Sequence, residues 1–255
     1  MFKKLKNSTM SNNNNVDNKL LPLLIMYFLI FISAGLNAQS EIKIGRQIWM
    51  KHNLNVDRFR DGTKIFQAKS NSDWNLASSK KQPAWCYYYD DNIYEKVYGK
   101  LYNGYAVSNS KSLCPKGWHI PTLMDWKELI NTLGGIDKAG GKLRSQTLST
   151  RSSIIDFLIE IADNLSIGNF KYPYTSGWDP PNSGATNSSK FSAFPGGLRW
   201  ANGEFTLMGL DAFFWSSSKY MEDDLWFCRL QGDKDFTTIL YLKMNDGLSV
   251  RCLKD

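Results

Sequence analysis

The chain has 255 residues, with 31 basic and 24 acidic side chains, two histidines and four cysteines. At 42% apolar and 14% aromatic it is a folding sequence, not a disordered one, and its length fits one large domain or two small ones. Two histidines leave little room for a His-rich metal site. Of the formal charge of +7, residues 1–38 hold a net +3 (Lys3, Lys4, Lys6 and Lys19 against Asp17); the remaining +4 shows no clustered basic run, so nucleic acid is not an expected partner.

Residues 20–36 carry no charge, follow the lysines, and lead into Asn37-Ala38-Gln39-Ser40. This is the three-part pattern of a secretory signal, with Ala38 as the last residue before cleavage. Pro22 and Gly35 interrupt the run and leave it short for a permanent span, the alternative being an uncleaved anchor and membrane contact through that segment alone. No Cys follows it, so lipid modification on the lipoprotein pattern is not available. The expectation is a signal peptide over 1–38 and a single exported domain over 39–255, periplasmic, on the cell surface or secreted. In an oxidising compartment Cys86, Cys114, Cys228 and Cys252 suggest two disulfides, with three connectivities open and buried free thiols as the alternative. The lack of C-x-x-C removes support for a redox dithiol or a zinc knuckle.

Along the mature chain, residues 41–56 alternate apolar and polar at Ile42, Ile44, Ile48 and Met50 with Gly45 as a break, predicting two short strands and a turn. Asp61-Gly62-Thr63 signals a turn into Lys64-Ile65-Phe66, and the Ser/Asn/Lys-rich residues 67–83 read as loop. Trp85, Tyr87, Tyr88 and Tyr89 form an aromatic block, followed by Tyr94, Tyr98, Tyr102 and Tyr105; Gly99 and Gly104 limit any helix there to a short one over Tyr102–Val107. The clearest helix starts at Thr122, whose side chain can cap the first turn with Asp125 three residues on. Leu123, Trp126, Leu129, Ile130 and Leu133 form its apolar stripe, and Gly134-Gly135 stops it. A second helix is predicted over Ser153–Asn164, and Pro173, Gly177, Pro180, Pro181 and Gly184 make residues 172–190 a long loop. After Phe194-Pro195-Gly196-Gly197, Leu198–Trp200 faces Phe205–Leu207 across Asn202-Gly203, a hairpin signal. Further strands fall at Phe213–Ser217, Leu225–Leu230, Thr237–Lys243 and Leu248–Leu253. Two helices followed by short antiparallel strands predict an α+β fold.

Eight stretches in fixed order then match a family: Ile44-Gly45-Arg46-Gln47-Ile48-Trp49-Met50, Asn53-Leu54-Asn55, Tyr98-Gly99-Lys100-Leu101-Tyr102-Asn103, Leu113-Cys114-Pro115-Lys116-Gly117-Trp118-His119-Ile120-Pro121-Thr122, Ala139-Gly140-Gly141-Lys142-Leu143, Phe191-Ser192-Ala193-Phe194-Pro195-Gly196-Gly197, Phe214-Trp215-Ser216-Ser217-Ser218 and Ser249-Val250-Arg251-Cys252-Leu253-Lys254-Asp255. Over residues 41–255 the chain resembles the Fibrobacter succinogenes major paralogous domain, a family of exported bacterial proteins. Residues 151–182 look like a longer insertion than the family carries. More remotely, Asn103–Asp125 with a terminal strand ending in Cys252 is similar to a C-type-lectin-like arrangement, two helices packed on short antiparallel sheets with a long loop region, where the first Cys pairs with the last. That similarity implies Cys114–Cys252 and, by extension, Cys86–Cys228. Formylglycine-generating enzymes are similar to the same fold, so a catalytic relative is a rival reading; a fold by itself supplies no activity.

A search for chemistry identifies no catalytic residue. A formylglycine-generating site needs a close pair of copper-binding cysteines, whereas Cys228 and Cys252 read as structural bridges. No G-x-S-x-G elbow is present; His119, between Trp118 and Ile120, reads as a packed, hydrogen-bonded structural histidine, and His52 as a surface one. The acids Asp90-Asp91, Glu222-Asp223-Asp224 and Asp233/Asp235 are candidates for carboxylate-based glycoside hydrolysis or for calcium, but Leu225-Trp226-Phe227 stands where a lectin calcium motif would need Trp-Asn-Asp, and no cofactor or metal is expected. Of nine Trp, Trp118, Trp126, Trp215 and Trp226 are assigned to packing. Trp178 with Asp179 and Asn182, and Trp200 with Asn202, are the candidate ligand-binding residues, because exposed flat rings beside amide and carboxylate groups suit the apolar faces and hydroxyls of sugars. The expected function is an exported, non-enzymatic binding or adhesion module for glycans or cell-surface polymers; the alternatives are an enzyme on a related fold and a structural surface protein with a protein partner.

Overall fold

The computed structural model describes residues 41–149 and 177–255; the predicted leader, the helix expected over Ser153–Asn164 and the first residues of the Pro-rich loop lie outside them. Glu41–Ile44 (β1) and Gln47–Met50 (β2) form the expected hairpin, whose turn needs the positive φ of Gly45, +61°. Phe66–Gln67 (β3), Ala84–Cys86 (β4), Leu101–Asn103 (β5) and Trp118–His119 (β6) follow, then Gly196–Arg199 (β7), Phe205–Met208 (β8), Asp211–Met221 (β9), Asp224–Gln231 (β10), Thr237–Lys243 (β11), Gly247–Leu248 (β12) and Leu253–Lys254 (β13). The described helices are Asn71–Ser79 (α1), Glu95–Tyr98 (α2), Gly104–Val107 (α3), Leu123–Thr132 (α4) and Ile136–Leu143 (α5). The structure is mixed α+β with sheet predominant. One sheet has the order β1-β2-β13-β6; a nine-stranded sheet runs β11-β10-β9-β7-β12-β5-β4-β3, with β8 paired to β7.

Helix α4 forms as its sequence dictates. Thr122 accepts from the Asp125 amide and Asp125 accepts from the Thr122 amide, a closed capping box, and Trp126, Leu129 and Ile130 are buried on one stripe. Strands β9 and β10 divide their side chains by the two-residue period of a strand. Ala212, Phe214, Cys228 and Leu230 face α4 and α5 in a cluster with Trp49, Trp126, Trp178 and Phe191. Phe213, Trp215, Leu225 and Phe227 face the opposite way, into a cluster with Tyr102, Leu198, Leu248 and the bridged cysteines. A third cluster gathers Trp74, Cys86, Tyr88, Tyr94 and Tyr98.

Cys114 and Cys252 form a disulfide across 138 positions of sequence. The second expected bridge is corrected: Cys86 and Cys228 are free and buried. Cys86 lies in the tyrosine-rich cluster beside α1, and Cys228 in the separate cluster under α4 and α5, so different layers of core stand between the two sulfurs.

Four expectations about elements also change. Residues 67–83 contain α1 as well as loop: Ser70 accepts from the Asp73 amide, Asp73 accepts from the Lys69 amide, and Trp74 and Ala77 are buried, so tertiary burial offsets a polar sequence. Residues past Gly135 form α5, despite Gly140-Gly141, because those two positions pass close to backbone; an added Cβ at Gly140 would lie 2.8 Å from the Phe236 oxygen. The strand expected over Leu248–Leu253 divides into β12 and β13, in different sheets, since Ser249–Arg251 crosses between them. Trp118 and Trp226, expected in the core, are half-buried, while Trp126 and Trp215 are fully buried.

At the head of β7, Gly197 combines φ +57° with a close approach to β8: a Cβ would meet the Thr206 carbonyl and sit 2.7 Å from the Met208 nitrogen. Gly197→Ala is expected to destabilise by about 2–3 kcal/mol through strain and clash together, read as a fall in the denaturant midpoint; a loss below about 0.5 kcal/mol would contradict the pairing of β7 with β8.

Candidate functional site

The two groups of candidate residues part company in the structure. Trp178 is fully buried, donates its indole N–H to the Ala193 carbonyl at 3.0 Å, and has the Arg144 guanidinium 5.6 Å from its ring. Asn182 is buried and donates to the Ser145 carbonyl. Asp179 is half-buried, accepting from the Ser149 hydroxyl at 2.7 Å while its amide donates to the Gly209 carbonyl. The expectation of an exposed ring at Trp178 is therefore corrected: in a Pro/Gly-rich segment this aromatic pins its own loop to the core under α4 and α5.

Trp200 and Asn202 stay at the surface together. The turn joining β7 to β8 is closed by the Trp200 amide on the Glu204 carbonyl, 2.8 Å, and the Gly203 amide on the Trp200 carbonyl, 2.9 Å. Asn202 accepts from the Glu204 amide and donates to the Glu204 carboxylate. Beneath, Arg199 is fully buried, ion-paired to Asp90 at 2.7 Å, hydrogen-bonded to Asn71, and flanked by the Trp74 and Phe205 rings at 4.9 and 4.4 Å. Desolvation raises the Asp90 carboxyl above its usual range in spite of Arg199. The buried Asp246 accepts from the Ala201 amide at 2.8 Å. With its backbone so anchored, the hairpin leaves Trp200 37% exposed.

That ring lines an open cleft of about 450 Å³ together with Leu198, Leu207, Phe213, Phe227, Arg229, Leu240, Tyr241 and Leu242. The floor is the face of β9 and β10 that α4 and α5 do not cover, and β11 forms the outer wall. Arg229 is the charged group in it, bound to Asp211 through Nε at 2.9 Å and Nη2 at 2.6 Å, with its guanidinium 5.6 Å from the Phe213 ring. Burial raises the Asp211 carboxyl although Arg229 pulls the other way. Leu240 and Tyr241 are 46% and 47% exposed, a large apolar exposure for one short strand. Sequence reasoning placed β11 but gave it no part in a site; the signal for that part was the unbroken run Ile239-Leu240-Tyr241-Leu242, which covers both strand faces where a sheet edge with one solvated face would alternate. Tyr220 stacks on Tyr241 with centroids 3.8 Å apart, and Trp226 meets both rings edge-on.

Burial raises the Asp246 carboxyl to about 6. A native pKa above the unfolded value means that the folded state binds more protons between about pH 4 and 6, so this group lowers stability as pH rises through that window. Asp246→Asn retains an oxygen for the Ala201 amide and removes the buried charge. We expect it to be more stable than wild type at pH 7, by up to about 3 kcal/mol, with the difference vanishing near pH 4; urea unfolding at the two pH values checks this, and equal differences at both would refute it.

The other chemistry-bearing side chains are committed. His119 is 38% exposed at its side chain, not packed in the core as expected, with Nδ1 2.8 Å from Asp255 and Nε2 3.4 Å from Asp125. Both ring nitrogens thus face carboxylates, while the Ser217 hydroxyl donates to the Ile120 carbonyl. His52 is at the surface, its imidazole held below the usual range by partial burial and then by Arg251 and Lys51. Burial pushes the Cys86 thiol up to about 12 and raises that of Cys228 as well, which keeps both protonated at neutral pH. Asp223 pairs with Lys81, Asp224 with Lys243, Asp233 with Lys234 and Asp235 with Arg144, and Asp91 caps the Ile93 amide. Among the described residues no group of three His, Cys, Asp or Glu is placed to hold a metal ion, and no helix is long and apolar enough to cross a membrane.

The family model described as the Fibrobacter succinogenes major domain matches residues 42–254. No curated protein and no solved structure matches the chain.

Proposed function

From the premise that the chain belongs to the Fibrobacter succinogenes major domain family, we propose that it is an exported, non-enzymatic binding module of C-type-lectin-like architecture that holds a glycan or cell-surface polymer in the cleft beside Trp200. The carrying observation is the cleft itself: a half-exposed indole over an apolar floor, with Arg229, Asn202 and Glu204 as polar groups in and near it. A pyranose presents an apolar C–H face to a flat ring and hydroxyls to its surroundings, and the cleft offers both kinds of partner. The lectin-like reading is supported by the bridge from the middle of the chain to its last residues and by β13 lying between β2 and β6. Export is supported by the disulfide and by the uncharged leader with its small-residue exit. The thiols raised by burial and the two carboxylates around His119 favour binding over catalysis.

The test is retention on insoluble cell-wall polysaccharides together with a glycan array, comparing wild type with Trp200→Ala. Trp200→Ala should bind at least about tenfold more weakly, with the denaturation midpoint unchanged, since the ring contributes little to the core. Absence of any glycan retention by wild type, or equal retention by the variant, refutes sugar recognition at this site. A second reading, a protein partner, is favoured by Leu198, Leu207, Leu240 and Leu242 in the lining: here Leu240→Asp would abolish capture of the partner, while glycans would bind neither protein.

A further inference from the structure

Away from the cleft, Lys100 enters β5 with its side chain only 5% exposed. Its Nζ contacts Oδ1 of Asn55, lies 3.3 Å from the Asn55 carbonyl oxygen and stands 3.7 Å from Oε1 of Glu95. The same Glu95 oxygen accepts from Asn55 Nδ2 at 2.9 Å. The Trp85 and Tyr87 rings cover Nζ at 4.4 and 5.1 Å. An amine, a carboxamide and a carboxylate touching both of them are the parts of an amide-forming reaction, set here between positions 45 residues apart.

We propose that the protein joins Lys100 to Asn55 by an intramolecular isopeptide bond, formed autocatalytically with Glu95 carrying the protons. Glu95 takes a proton from the Lys100 ammonium, and the freed amine attacks Asn55 Cγ. As the Nζ–Cγ bond forms, the Cγ–Nδ2 bond breaks. Glu95 passes the amine's protons to the departing nitrogen, which leaves as ammonium, so atoms and charge balance and no oxidant takes part. Burial pulls the Lys100 ammonium below the ordinary lysine range against the opposing pull of Glu95 and Asp57, which makes the neutral amine more accessible. The hydrogen bond from Asn55 holds Glu95 below the usual carboxylate range, so it starts as the base the first step needs. The product would tie the connection between β2 and β3 to the strand that enters the tyrosine-rich core, a covalent staple independent of the disulfide and of the Trp200 cleft.

Peptide mapping of the purified full chain tests this. Trypsin should release residues 52–58 joined through an uncleaved Lys100 to residues 97–111, about 17 Da lighter than the two segments together, one ammonia having left. Intact mass alone does not decide, because cyclisation of Gln39 after cleavage at Ala38 removes the same mass. Lys100→Arg keeps the positive charge and should yield only separate peptides, Glu95→Gln should reduce the joined species at least about tenfold, and Trp200→Ala should leave it intact. Recovery of wild-type residues 52–58 and 97–100 as unmodified linear peptides overturns the proposal. A loss of about 18 Da, one water, would place the bond at Asp57 and overturn the assignment to Asn55.

Discussion

Replacing both Cys114 and Cys252 by Ala should lower the unfolding free energy by about 3–5 kcal/mol. The bridge spans 138 positions, and closing so long a loop removes much of the unfolded chain's freedom; the chain-entropy account gives roughly 5 kcal/mol for it. Its native surroundings add a second reason. Both sulfurs are buried in the cluster with Leu113, Ile120, Trp215 and Val250, and Cys252 lies just before β13, the strand that joins β2 to β6. Loss of the tie therefore loosens the four-stranded sheet as well. Guanidinium unfolding followed by tryptophan fluorescence measures the effect. Dithiothreitol should destabilise wild type by a similar amount and leave the double variant unchanged. Cys86→Ala and Cys228→Ala, which remove buried thiols but no bridge, should each cost about 1–2 kcal/mol and retain sensitivity to the reductant. A double variant as stable as wild type, or a wild type indifferent to reductant after full reduction of the bridge, would mean that the bridge contributes nothing to the fold.

Trp178→Ala is expected to destabilise by about 3–5 kcal/mol while leaving affinity per folded molecule unaltered. The indole fills the space between α5, Phe191 and the β9–β10 face, and Gly232 approaches its ring, where an added Cβ would lie 3.1 Å from Cε3. Truncation also removes one of the two hydrogen bonds that the Ala193 carbonyl accepts, leaving it the Ser145 amide alone, and takes away the ring that the Arg144 guanidinium lies over. Trp178→Phe should recover part of the loss by refilling the volume without the N–H. The contrast with Trp200→Ala is the discriminating result, since one ring serves the fold and the other the cleft. If Trp178→Ala instead kept its stability and lost ligand, the ring would have to face solvent and the structure around residues 177–182 would be wrong.

These two tryptophans also mark how far the sequence could be read. Both sit in Pro/Gly/Asn-rich company, and nothing local separates them. Trp178 is drawn inward by residues distant in sequence, Ala193 and Arg144, whereas Trp200 is held outward because its neighbours Arg199 and Ala201 are gripped by Asp90 and Asp246. The cysteines divide in the same manner. Cys114–Cys252 followed from a resemblance in chain order, while the fate of Cys86 and Cys228 depended on which core layer each strand entered.

By itself the sequence determined the secondary-structure class, the β1–β2 turn at Gly45, the Thr122 cap and the stripe of α4, the Asn202-Gly203 hairpin and the limits of β11, because each depends on residues within a few positions of one another. The family was legible for the same reason, as ordered short motifs. Only the tertiary structure decided which aromatics are solvent-facing, that Leu240 and Tyr241 wall a cleft, that α1 and α5 form from weakly helical sequences, and that Asn55, Glu95 and Lys100 meet. Those outcomes arise from burial and long-range pairing, whose free energies exceed local propensity and whose partners lie tens to hundreds of residues away.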